Sequence, residues 1–72
     1  MPKFPAIKSK QLIKALKNAG FYEVRSKGSH LQLKKGNLLV TVPLHNTELK
    51  IETLKSILRQ SKLTASEILE LL

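Results

Sequence analysis

Apolar residues recur along this chain in two rhythms, and the switches between them mark its elements. Between Ser9 and Ala19, Leu12, Ile13, Leu16 and Ala19 fall at the three- and four-residue spacing of one helical face, whereas Lys10, Lys14 and Lys17 fall on another. The spacing predicts a helix with Ser9 as its N-cap, ended by Gly20 placed just after the C-cap. Phe21-Tyr22-Glu23-Val24-Arg25 reads as a strand, rich in aromatic and β-branched residues. Leu31-Gln32-Leu33-Lys34 alternates strictly, so Leu31 and Leu33 face inward while His30, Gln32 and Lys34 share the outer face. Leu38-Leu39-Val40-Thr41-Val42 is a third strand, ended by Pro43, which has no N–H to give a ladder. Turns at Lys27-Gly28-Ser29 and Lys35-Gly36-Asn37 join the three runs into an antiparallel meander.

Helical spacing returns near Ile51, with Ile51, Leu54, Ile57 and Leu58 expected inward and Glu52, Lys55 and Arg59 outward. Thr64 and Glu67 form a capping box ahead of Ile68, Leu69, Leu71 and Leu72, which predicts a short final helix. Leu44-His45-Asn46-Thr47 is expected to be a loop, and the arm from Pro2 to Pro5 irregular, with Phe4 packed or loose. The order gives an α+β fold, helix, three-stranded antiparallel sheet, helix, with a short C-terminal helix. Both main helices cover one sheet face and leave the other open, the architecture of a double-stranded-RNA-binding-domain-like fold. Residues 1–72 are expected to form a single domain, since a chain of this length buries only about 60% of its unfolded surface.

Composition changes this picture in three ways. The absence of cysteine removes disulfides and thiolate metal sites, so Leu, Ile and Val must carry the stability. Met1-Pro2-Lys3-Phe4-Pro5 leads straight into polar sequence and no apolar run approaches membrane-spanning length, so the expectation is a cytoplasmic protein without membrane contact. The formal net charge of +8 lies entirely in the first 36 residues; the second half is balanced. Such an excess, confined to half of a short chain, points to a polyanion partner, most commonly a nucleic acid.

Within the charged half, Arg25-Ser26-Lys27-Gly28-Ser29-His30 gathers cations, a turn glycine, a hydroxyl and one of two histidines. Histidine exchanges protons near neutrality, so His30 at a strand start among Arg25, Lys27 and Lys34 is a candidate general acid or base for phosphodiester cleavage. Arg25, Lys27 and Lys34 are candidates to hold phosphates, and Lys10 and Lys14 to contact an RNA backbone. Ser29 either binds phosphate or caps its turn. His45 is either a second proton-transfer group or a structural loop residue. With no Asp, no Cys and glutamates that do not cluster with the histidines, a zinc or two-metal site is hard to assemble. Neither metal nor cofactor is expected, and cleavage would use the RNA 2′-hydroxyl as nucleophile.

Met1-Pro2-Lys3, the segment Leu12 through Phe21, Gly28-Ser29-His30, Val42-Pro43-Leu44-His45 and Ser56 through Gln60 occur in the order found in the HicA toxin family, which this chain resembles along nearly its whole length. Asn46 stands where the family often has Gly, and Lys50-Ile51-Glu52 replaces its usual Pro-Gly. The resemblance implies a type II toxin that cleaves messenger RNA, with His30 as the catalytic histidine, neutralised by a HicB-like antitoxin; the residue chemistry favours cleavage without metal. A non-catalytic RNA-binding module of the same fold is the alternative.

Overall fold

In a computed structural model, which describes residues 6–44 and 49–72, the chain forms α1 (Ser9–Asn18), β1 (Tyr22–Lys27), β2 (His30–Lys35), β3 (Leu38–Pro43), α2 (Ile51–Ser61) and α3 (Ala65–Leu71). The strands form one antiparallel sheet in the order β1-β2-β3. This is the expected α+β order with a short C-terminal helix. The expectations for Phe4, His45 and Asn46 lie outside the described residues.

Two-residue loops fix the sheet. Lys27 pairs with His30 around Gly28-Ser29, and Lys35 pairs with Leu38 around Gly36-Asn37. Each loop opens on a glycine at φ +58°, followed by a residue with ordinary negative φ. That is the signature of a type II′ turn, whose twist matches the strands it joins. The pairing then stacks Leu31 opposite Val42 and Leu33 opposite Val40, all four buried. α1 packs against β3 and α3, and α2 runs along β3, so the helices form a layer over that apolar sheet face. The layer stops short of β1, every residue of which is exposed. Among the described residues, no helix is long and apolar enough to cross a membrane.

Helix ends show where local signals held and where tertiary contacts overrode them. Gly20, at φ +106°, ends α1 as expected: its N–H donates to the Lys17 carbonyl at 3.0 Å and the Phe21 N–H to the Leu16 carbonyl at 2.9 Å, a Schellman pair. Phe21 is therefore a buried helix-terminal residue rather than the start of the strand. Lys35 Nζ donates to the carbonyl of Ala19, the C-cap of α1, at 2.6 Å. At the other end the N-cap is Lys8, not Ser9, and its N–H donates to Gln11 Oε1 at 3.0 Å. Ser9 is the first helical residue, buried, with its hydroxyl donating to the Pro43 carbonyl at 2.6 Å. A long-range hydrogen bond into the sheet end has claimed the side chain that could have capped the helix.

The stripe on α1 includes buried Ala15 beside Leu12 and Leu16, with Ile13 and Ala19 packed at its margin. On α2, Leu54 and Ile57 are buried and Leu58 partly so, but Ile51 is 56% exposed, contrary to expectation. It is the first residue of the helix. α3 begins as the capping box requires: Glu67 N–H donates to Thr64 Oγ1 at 3.1 Å and Thr64 N–H to Glu67 Oε1 at 3.0 Å.

The two faces of the sheet thus carry different energetic weight. Leu33 is fully buried at the sheet centre, whereas Leu39, one strand away on the open face, is 47% exposed. Leu33→Ala is expected to cost about 2–5 kcal/mol, against a total stability of roughly 4–11 kcal/mol for a chain of this size. Leu39→Ala should stay within about 0.5 kcal/mol of the parent. Urea denaturation of both variants measures the contrast, and equal losses would contradict this assignment of faces.

Candidate functional site

Strand alternation puts His30, Gln32 and Lys34 on the sheet face away from the helices, because Leu31 and Leu33 are held in the core. Their partners on β3 are Pro43, Thr41 and Leu39, and their partners on β1 are Lys27, Arg25 and Tyr22. Paired residues share a face, so the open side of the sheet carries three cross-strand rows: Lys27–His30–Pro43, Arg25–Gln32–Thr41 and Tyr22–Lys34–Leu39. Arg25, Lys27, His30, Gln32 and Thr41 together line a shallow pocket of about 350 Å³. A second pocket, apolar and about 10 Å³, is a crevice in the core between α1, α2 and α3.

A β-bulge decides which β1 side chains reach this face. Glu23 pairs with Leu33 and Arg25 with Gln32, so two steps on β1 match one step on β2 and Val24 is the extra residue. Unbroken alternation would place Glu23 beside Arg25 and Lys27. Instead Glu23 stands on the helix side, in an ion pair with Lys17 of α1, and Tyr22 takes the outer position. The remaining described glutamates, Glu52, Glu67 and Glu70, belong to α2 and α3. Among the described residues the open face therefore carries cations, a histidine and neutral polar groups, with no carboxylate.

The backbone around the pocket is pinned from both sides. The Leu44 N–H donates to the Ser29 carbonyl, closing the sheet end beside His30. The Thr41 N–H donates to Gln60 Oε1 at 3.1 Å, so α2 covers an N–H of edge strand β3. Ser9, bonded to the Pro43 carbonyl, brings the start of α1 to the same end of the sheet as His30.

Of the residues singled out in the sequence, Arg25, Lys27 and His30 come together in the pocket. Lys34 is on the same face one row beyond it, and Ser29 is the second residue of the turn. Lys10 and Lys14 are not brought there: both are exposed on the side of α1 opposite Leu12, Ala15 and Leu16. Gln32 and Thr41 were not anticipated as pocket residues. Their signal was present in the turn spacing, since a two-residue loop at Gly36-Asn37 puts Thr41 opposite Gln32. No group of three or more potential metal-ligating side chains converges among the described residues.

Residues 9–63 match the family model described as HicA toxin of bacterial toxin–antitoxin, which covers the helix, the whole sheet and α2. The chain belongs to the HicA toxin family. Membership implies an antitoxin partner, and the matched span contains every pocket-lining residue. No curated protein matches the chain.

The pocket depends on the turn before His30. Nothing stands within 4 Å of a Cβ built on Gly28, so the constraint there is conformational, not steric crowding. Gly28→Ala is expected to cost about 1–3 kcal/mol through positive φ alone. Thermal denaturation measures it; an unchanged melting temperature would mean that the turn does not need glycine.

Proposed function

We propose that this chain is an endoribonuclease that cleaves messenger RNA without a metal, with His30 transferring a proton and Arg25 and Lys27 holding the phosphate. The observation that carries this reading is the cross-strand row geometry: His30, Lys27 and Arg25 line one open pocket on the sheet, with no carboxylate among its described lining residues. Pairing of strands places Lys27 opposite His30 at about 5 Å between Cα atoms. An RNA phosphate lying between them is within reach of both side chains.

The chemistry such a site supports is transesterification. The ribose 2′-oxygen attacks the adjacent phosphorus, the P–O2′ bond forms, the P–O5′ bond breaks, and a 2′,3′-cyclic phosphate remains. One proton leaves the 2′-hydroxyl and one is delivered to the 5′-oxygen; His30 serves one of these transfers. Negative charge accumulates on the non-bridging oxygens in the transition state, and the Arg25 guanidinium and Lys27 ammonium stabilise it in place. Ser29 in the turn and Lys34 one row on extend the surface to flanking phosphates, and Lys10 and Lys14 contribute only to longer-range attraction. His45, in the Val-Pro-x-His segment, is the second candidate for proton transfer.

His30→Ala is expected to lower the cleavage rate of a labelled RNA by about 10²–10⁴-fold while leaving the fold and RNA binding in place. His30 is exposed, so little packing is lost. A chelator should leave the parent activity unchanged, and the products should carry a 2′,3′-cyclic phosphate. Retained cleavage by a clean preparation of the variant would overturn the role of His30; RNA binding without any cleavage by the parent would favour the non-catalytic alternative.

Control follows from the same surface. A HicB-like antitoxin with acidic character would be steered to the cationic face and would exclude RNA by covering it. Lys27→Glu should therefore weaken RNA and antitoxin binding together, and should reduce the slope of log affinity against log salt for single-stranded RNA by about 0.7 or more. Parallel titrations of the two ligands measure this. Loss of RNA binding with unchanged antitoxin affinity and salt dependence would place the antitoxin on another surface.

A further inference from the structure

The row farthest from His30 on the open face joins Tyr22, Lys34 and Leu39. Tyr22 is 55% exposed at the start of the edge strand, and Leu39 stands two strands away on the same face. An exposed aromatic ring beside an ammonium and an aliphatic side chain has no role in the core. Tyr22 occupies this position only because Val24 is a bulge; regular alternation from Arg25 and Lys27 would put Glu23 there and turn Tyr22 toward the helix side. Bulges re-aim side chains near functional sites, and this one exchanges a carboxylate for an aromatic ring on a cationic surface.

We propose that the Tyr22–Lys34–Leu39 row is a base-binding subsite for single-stranded RNA, in which a nucleobase stacks on the Tyr22 ring and Lys34 holds the neighbouring phosphate. The inference rests on the ribonuclease reading and adds to it where a flanking nucleotide binds. The occupant follows from complementarity: a π-faced, polyanionic chain fits an aromatic ring set among Lys34, Arg25 and Lys27, with no carboxylate on the face among the described residues. Lys34 stands four positions along β2 from His30, about 13 Å along the strand, a span that an extended single strand crosses in a few nucleotides. RNA would then run along the strand direction, with its scissile phosphate at His30 and its flanking base on Tyr22. Duplex RNA cannot use this subsite, because its bases are already stacked on one another.

The chain has one tyrosine and no tryptophan, so tyrosine emission reports Tyr22 alone. The test titrates the intact chain with an uncleavable single-stranded 2′-O-methyl RNA of about eight nucleotides, within the usual site sizes. Emission, corrected for RNA absorption, should be quenched at saturation. Tyr22→Ala should bind about tenfold more weakly, with Tyr22→Phe within about twofold of the parent. Circular dichroism checks that both variants stay folded. An oligonucleotide of the same length with abasic sugars should bind the parent and Tyr22→Ala alike. Unmoved emission and equal affinity of Tyr22→Ala, with the parent still binding the RNA in a salt-dependent way, would overturn the subsite and leave the ribonuclease reading intact. Failure of every form to bind RNA at low salt would overturn both.

Discussion

Register between β2 and its two neighbours is the constraint on which the site depends. Burying Leu31 and Leu33 against Val42 and Val40 fixes which residues of β2 face outward, and a slip of one residue would send His30 and Gln32 into the core. The two glycine-led turns make such a slip costly, because each allows only two residues between paired strands. The apolar face thus holds the polar one in place, although none of its side chains touches the pocket. Ser9 and Gln60 add hydrogen bonds from the helical layer to the end and edge of β3, so the surface bearing His30 is anchored at its margin as well as from beneath.

Charge is segregated by the same geometry. An excess of +8 on 72 residues repels itself, and its distribution matters more than its size. The β1 bulge sends Glu23 toward Lys17 on α1, where the pair is solvent-exposed and worth little in stability. Its larger effect is to leave Arg25 and Lys27, among the described residues, without a carboxylate neighbour on the open face. Lys35 is drawn off in the other direction: its ammonium serves the Ala19 carbonyl and lies 5.9 Å from the Phe21 ring centre, so it supports the end of α1. Cations close together in sequence therefore have separate tasks, and those left on the open face flank His30 and Tyr22.

Much of the fold was legible from local chemistry. The alternation of Leu31 and Leu33, the turn glycines, the Thr64–Glu67 capping box and the helix-ending Gly20 all act within a few residues, and each stands where its local preference puts it. Features set by distant partners were not legible. Ser9 has the side chain of an N-cap, but Pro43, far along the chain, takes its hydroxyl. Ile51 fits the inward spacing of α2, yet as the first residue of the helix it is left exposed. The bulge is the least visible of all: in sequence, Glu23-Val24-Arg25 reads as plain strand, and only its pairing with Leu33 and Gln32 shows the extra residue. For that reason nothing in the sequence marks Tyr22 as an outward residue, whereas Arg25, Lys27 and His30 are recognisable by type and by nearness to the turn. Lys10 and Lys14 shared their charge but not their side of the molecule.

The central claim is that RNA binds the open sheet face, and amide chemical-shift mapping tests it directly. On titrating the isotopically labelled chain with an uncleavable single-stranded RNA at low salt, the account predicts the largest shifts at Arg25, Lys27, His30, Gln32 and Thr41, extending to Tyr22 and Lys34. The exposed sides of α1 and α3 should move little. Shifts concentrated on α1 around Lys10 and Lys14, with the β2 amides unmoved, would contradict it.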